Sequence, residues 1–208
     1  MQQRREVTDE LRATVRKELP EVEDIQDRDL RDKVVEAWAL CLAHSSFASI
    51  DEIEPAANPG VNRLKEGRQS DHIRGVTRMA VAVADEMCAL MPDLKVDRDI
   101  LIAGALCHDV GKPFEFDPEN RKRWEANPYA SGLPAIRHPA FGVHICLTVG
   151  LPEEVAHCAA AHSGEGELVV RSLENTIIHH VDYAFWNVCR AAHLLVPETL
   201  AELKSGRR

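Results

Sequence analysis

A chain of 208 residues, 45% of them hydrophobic, can bury one sizeable core and would be cramped by a second, so a single domain over residues 1–208 is expected. Its 34 acidic against 25 basic residues leave a net charge of -9. That balance argues against broad binding to nucleic acid polymers or anionic membrane, and a small anionic substrate would need a local basic pocket.

Residues 8–19 read as a short charged amphipathic helix that Pro20 ends. Residues 28–46 form a second, with Leu30, Val34, Trp38, Cys41 and Leu42 on one stripe, so the helices over 8–46 should pack on the core. Residues 51–68 carry two prolines, two glycines and several charges without periodicity and are expected to be a long irregular loop. A long helix is expected from about Ser70, as N-cap, to Cys88, with Ile73, Val76, Ala80, Val83, Ala84 and Met87 facing inward. After Met91-Pro92, either Asp97 or Asp99 can cap the next apolar helix, RDILIAGALCHD. Gly111 stands where a left-handed C′ glycine would end that helix, and Pro113 opposes continuation.

Residues 114–137 are the least regular, with Trp124 and Tyr129 among charges, prolines and glycines, and could cover a site. Helices then follow over HPAFGVHICLTV, LPEEVAHCAAAH and 170–196, and the tail LAELKSGRR reads as a frayed helix end. No β-strand signal stands out, so the fold class is all-α. The six cysteines (Cys41, Cys88, Cys107, Cys146, Cys158, Cys189) lie singly in apolar helical patterns without CxxC spacing, as reduced core residues would. With no apolar leader at the N-terminus and no stretch of membrane-span length, a cytoplasmic location is expected.

His72, His108, Asp109, His138, His162 and Asp182 supply six nitrogen and oxygen ligands, one or two per expected helix, as a metal site in a helical bundle requires. At 1.5 Å per residue, His72 lies about 24 Å before Cys88 and His108 about 18 Å after Val96. The short 89–95 connection makes these two helices antiparallel, which brings His72 toward His108-Asp109. Asp182, among Ile178, Val181 and Phe185, would be costly to bury unpaired, so a cation is its simplest partner. His138 starts one helix and His162 ends the next, so they too should meet at one end. If Asp109 bridges with both oxygens, the set divides around two ions.

His72, then His108-Asp109 within HDVGK, then Asp182 resembles the signature of the HD superfamily of metal-dependent phosphohydrolases. The resemblance implies an HD-domain helical bundle with its core over about 69–190. His138 and His162 resemble the added histidines of binuclear members, including cyclic-dinucleotide phosphodiesterases of the HD-GYP type, whose HPxxG is similar to HPAFG here. After His162 the chain reads SGEGELVV, lacking both the doubled histidine and the GYP run, which puts cyclic-dinucleotide hydrolysis in doubt.

By that resemblance His72, His108, Asp109 and Asp182 would bind a first ion, and Asp109, His138 and His162 a second. The mixed donor set suits Fe, Mn, Co, Ni or Zn. Lys112 would hold a phosphate of a small phosphorylated substrate, a nucleotide among the candidates, while a hydroxide shared by the ions attacks. Arg68 and Arg137 are further candidate anion contacts. The same ligands also resemble diiron oxygenases of the superfamily, of the inositol-oxygenase and phosphonate-oxygenase types. The latter place a tyrosine and a glutamate before the first histidine, and the only tyrosines here are Tyr129 and Tyr183. A third reading is a degenerate HD module that binds a ligand without turnover.

Overall fold

The computed structural model describes residues 4–197, and the tail LAELKSGRR lies outside the described residues. The fold is all-α apart from one small hairpin. Helix α1 (Asp9–Glu18) begins where the Thr8 hydroxyl accepts the Leu11 N–H, and α2 (Arg28–Ala43) where Asp27 accepts from Asp29 and Leu30. The α2 stripe is buried as expected, and the Trp38 indole donates to the Leu106 carbonyl at 2.9 Å. This bond ties the N-terminal helices to the backbone two residues before His108. Trp38 is fully buried, and truncating such a residue costs about 3–5 kcal/mol.

The expected irregular loop contains a two-stranded antiparallel hairpin, β1 (Ala56–Asn58) and β2 (Val61–Arg63). It turns on Pro59-Gly60, with Gly60 at φ 74°, where a glycine is favoured. The segment after the last helix extends it: Lys65 donates to the Leu194 carbonyl and Val196 to that of Arg63.

Helix α3 (Gln69–Leu90) starts at Arg68, whose N–H is accepted by the Asp71 carboxylate, rather than at Ser70. Ser70 lies in the first turn and hydrogen-bonds Asp51. Ile73, Val76, Ala80 and Ala84 are buried, but Val83 is 39% and Met87 36% exposed, so the buried stripe of α3 is narrower than expected. Helix α4 (Arg98–Cys107) is capped by Asp97, while Asp99 accepts the Gln26 and Asp27 N–H groups instead.

Gly111 is not a left-handed cap: its φ is -82°. It is required by proximity, since a Cβ there would stand 2.1 Å from the His138 carbonyl oxygen. Pro113 sits in the first turn of α5 (Lys112–Phe116), where its missing N–H is harmless. The stretch expected to be irregular is therefore largely helical, with α6 (Pro118–Ala126) and α7 (Pro128–Ser131) following. Trp124 is a buried peg against Phe114, and Tyr129 is fully exposed.

Helices α8 (His138–Thr148) and α9 (Glu153–Ala161) form a hairpin, and α10 (Leu173–Ala191), capped by Ser172, is shorter at both ends than the 170–196 expectation. Helix α4 is the axis of the bundle, packed by α2, α3, α9 and α10. It contributes to two apolar clusters, one with α1, α2, α8 and α9, the other with α3 and α10. No helix among the described residues is long and apolar enough to cross a membrane. The six cysteines are all free thiols; five are buried and Cys88 is half-buried.

Candidate metal centre

Helix α4 ends at Cys107 with His108 as its C-cap, and the turn that follows carries Asp109 into the space where α3, α8, α9 and α10 converge. His72 comes from the first turns of α3, His138 is the first residue of α8, His162 follows α9, and Asp182 lies mid-way along α10. All six side chains are buried.

Asp109 is the centre. Its Oδ2 lies 3.2 Å from both His72 Nε2 and His108 Nε2, and its Oδ1 lies 3.4 Å from His138 Nε2 and 3.7 Å from His162 Nε2. Ligand atoms of His72, His108 and Asp109 fall within 4.8 Å of one another, as do those of Asp109, His138 and His162. Asp182 joins the first group through Oδ1, 3.4 Å from His72 Nε2.

Imidazole orientation is set from behind. His108 Nδ1 faces the Ala105 carbonyl at 2.6 Å and His162 Nδ1 that of Ala159 at 3.0 Å, so each Nδ1 donates and each Nε2 is turned to the space beside Asp109, where its lone pair can meet a cation. His72 is held by packing, its ring 4.7 Å from that of Phe185 and 4.6 Å from that of Trp186. The donor set fits a cation. Asp182 Oδ1 is buried without a hydrogen-bond partner, an expensive state unless a positive charge meets it, and imidazole nitrogens with carboxylates suit a divalent transition metal.

Burial lowers the pKa of His72 and pushes that of His162 well below the ordinary histidine value, so both are neutral ligands at pH 7. Burial works against ionisation of Asp109 too, but Lys112, followed by His108, overcomes it and holds the carboxyl well below its usual range.

Lys112 is engaged at the site itself. Its ammonium donates to Asp109 Oδ2 at 2.7 Å, to the Ala56 carbonyl at 2.8 Å and to the Gln69 amide oxygen at 3.0 Å. That amide assignment also lets Gln69 nitrogen donate to the Glu54 carbonyl at 3.2 Å, whereas the opposite one leaves a 3.4 Å contact to Asp109 and faces nitrogen to nitrogen. Three N–H bonds meet three acceptors, so no donor is left for a phosphate in this arrangement. So bonded, Lys112 neutralises Asp109 and ties down the β1 strand through Ala56.

Arg68 stands apart, with an exposed guanidinium on Asp51 at 3.2 Å. Arg137 does line the cleft, yet it bonds Asn58 at 2.7 Å, Glu115 at 3.1 Å and Glu165 at 3.0 Å. The sequence reading missed Glu115 and Gln69. Neither belongs to an evident motif, and only their buried contacts single them out. The cleft above the centre has a volume of about 630 Å³, and Tyr183, Asn187 and Arg190 on α10 line it together with Asn58 and Asn62 of the hairpin.

No solved structure matches the chain. It is similar to a dihydroneopterin 2',3'-cyclic phosphate phosphodiesterase of Methanocaldococcus jannaschii, at 28% identity over 166 residues. The alignment covers 78% of this chain and spans 65% of that relative's length. The model of one family, HD domain, matches residues 70–185, the stretch that carries all six converging side chains, and the chain belongs to that family.

Proposed function

We propose that this chain is a metal-dependent phosphohydrolase acting on a small phosphate ester or nucleotide. The observation that carries the reading is one buried carboxylate, Asp109, shared between two pairs of imidazoles at the floor of an open cleft. The relative, whose name states a cyclic phosphate as its substrate, supports the same class.

His72, His108, Asp182 and Asp109 Oδ2 would hold one divalent ion, and His138, His162 and Asp109 Oδ1 a second, from among Fe, Mn, Co, Ni and Zn. Bound there, such ions supply Lewis acidity and lower the pKa of water at neutral pH. The chain does the rest. Neutral His72 and His162 need shed no proton to become ligands, and Lys112 keeps Asp109 ionised. Trp186 and Phe185 wall His72 from solvent. Arg190, held at 2.7 Å by Asn62, gives the rim a positive charge on an otherwise acidic protein, where a phosphate must enter.

Phosphate release from phosphomonoesters, and ring opening of 2',3'-cyclic nucleotides, should be followed with Mn or Co, with and without oxygen. Turnover that is equal in both atmospheres is expected. Activity confined to aerobic, iron-loaded protein with O₂ consumed in step with product would replace this reading by an oxygenase. Metal-loaded protein inert on every such substrate in either atmosphere would leave a binding module.

A further inference from the structure

We infer that Glu115 is a positioning residue that creates the second cation subsite by fixing the tautomer and direction of His138. The inference rests on the binuclear reading above. Glu115 lies on α5, six residues beyond Asp109, and is 1% exposed. One oxygen, Oε2, accepts both from the His138 backbone N–H at 2.7 Å and from its ring Nδ1 at 2.5 Å. The other, Oε1, takes the Arg137 guanidinium at 3.1 Å.

The consequence for His138 is specific. With its proton on Nδ1 and directed at a carboxylate, the ring turns only the Nε2 lone pair to the space beside Asp109 Oδ1, 3.4 Å away, where a cation would meet both. Backbone and ring are gripped by the same oxygen, so the imidazole cannot rotate without losing a charge-assisted bond. A carboxylate behind an imidazole also raises its basicity as a ligand. His108 and His162 are held by backbone carbonyls, which any sequence would supply, whereas the Nδ1 of His138, whose ring sits in the first turn of its helix, is held by a side-chain carboxylate.

Burying this carboxylate is costly, and Arg137 compensates it. Arg137 then reaches Asn58 on the hairpin and Glu165 in the segment after His162, so the second subsite is braced from three directions. The bland alternative is that Glu115 merely caps α8 through the His138 N–H. A cap supports the helix but discriminates between no metals.

The two accounts separate in equilibrium titrations with Co(II), followed by its visible absorption and by elemental analysis of the full-length protein. Wild type should take up two ions. Glu115→Gln, which keeps the shape but removes the charge and faces an amide nitrogen toward Arg137, should weaken the second ion about 10-fold and leave the first unchanged. Glu115→Ala should weaken it up to about 100-fold. Glu115→Asp should recover part of the loss. Both ions bound to Glu115→Gln and Glu115→Ala with wild-type affinity would overturn the inference while leaving the binuclear site intact. Both ions weakened equally would make Glu115 structural. A wild type that binds a single ion would instead remove the reading on which the inference rests.

Discussion

Replacing Gly111 by alanine isolates the contact that joins the HD turn to the start of α8. At φ -82° the substitution carries no backbone penalty, so its whole effect is steric. The added Cβ would lie 2.1 Å from the His138 carbonyl oxygen and 2.8 Å from the Gly142 nitrogen, both backbone atoms that cannot rotate aside. Relief needs the α8 start to retreat by about 1 Å in a close-packed interior, an overpacking strain of about 1–3 kcal/mol. For a chain of this size that is a fall in Tm of roughly 2–12 °C. The same retreat opens the 3.4 Å separation of His138 Nε2 and Asp109 Oδ1, so the second ion should bind at least about 10-fold more weakly. Calorimetry of chelator-treated protein and a metal titration read the two effects. Gly150→Ala is the control: its φ of 75° makes alanine strained, but only the flexible end of Lys33 is near, so Tm should drop with both ions retained. A Gly111→Ala variant with wild-type Tm and wild-type affinity for both ions would refute the reasoning.

Asp109→Ala should lose both ions, His138→Ala and His162→Ala mainly the second, and His72→Ala the first; elemental analysis showing equal loss in all the histidine variants would dissolve the partition. Lys112→Met breaks a buried pair and should cost metal-free protein about 3–5 kcal/mol. Saturating Mn should recover much of that, because a cation replaces the missing countercharge; a loss unchanged by Mn would contradict the neutralising role. In chelator-treated protein the pKa directions set the pH dependence. Burial lowers His72 and His162, so their contribution is present above about pH 6.5 and is lost as pH falls toward their folded values. His108 runs the other way: burial opposes its protonation, but the charge of Asp109 prevails and raises it, so its contribution is lost as pH rises. Burial lowers His44 as well, so three lowered histidines against one raised predict a urea midpoint that falls from pH 7.5 to pH 5, and one that rises would be the contrary result. The low pKa of Asp109 adds a further loss once pH drops below about 4.

The sequence by itself determined the helical class and the six converging side chains. Helix period, N-caps such as Asp27 and Asp97, and the ligand chemistry of His and Asp are properties of a residue and its near neighbours, so they are visible in the string. The antiparallel geometry of α3 and α4 follows from a short connection, which is how His72 meets His108 across 36 positions. What only the tertiary structure decided is how each charged group spends its bonds. The partners of Lys112 are among them: Ala56, from 56 residues away, takes one of its N–H groups and Gln69 another. Gly111 reads as a helix stop until the α8 backbone is seen pressed against it, and Glu115 as one more charge in an irregular stretch until His138 folds onto it. The Pro59-Gly60 turn is a legible signal, but its strands carry no alternating apolar pattern, and Lys112 and residues 194–196 hold them in place. Val83 and Met87 keep the core periodicity of α3 yet stay partly exposed. Saturated donors, close approaches and the edge of a core depend on segments far apart in the chain, and a local pattern carries no record of them.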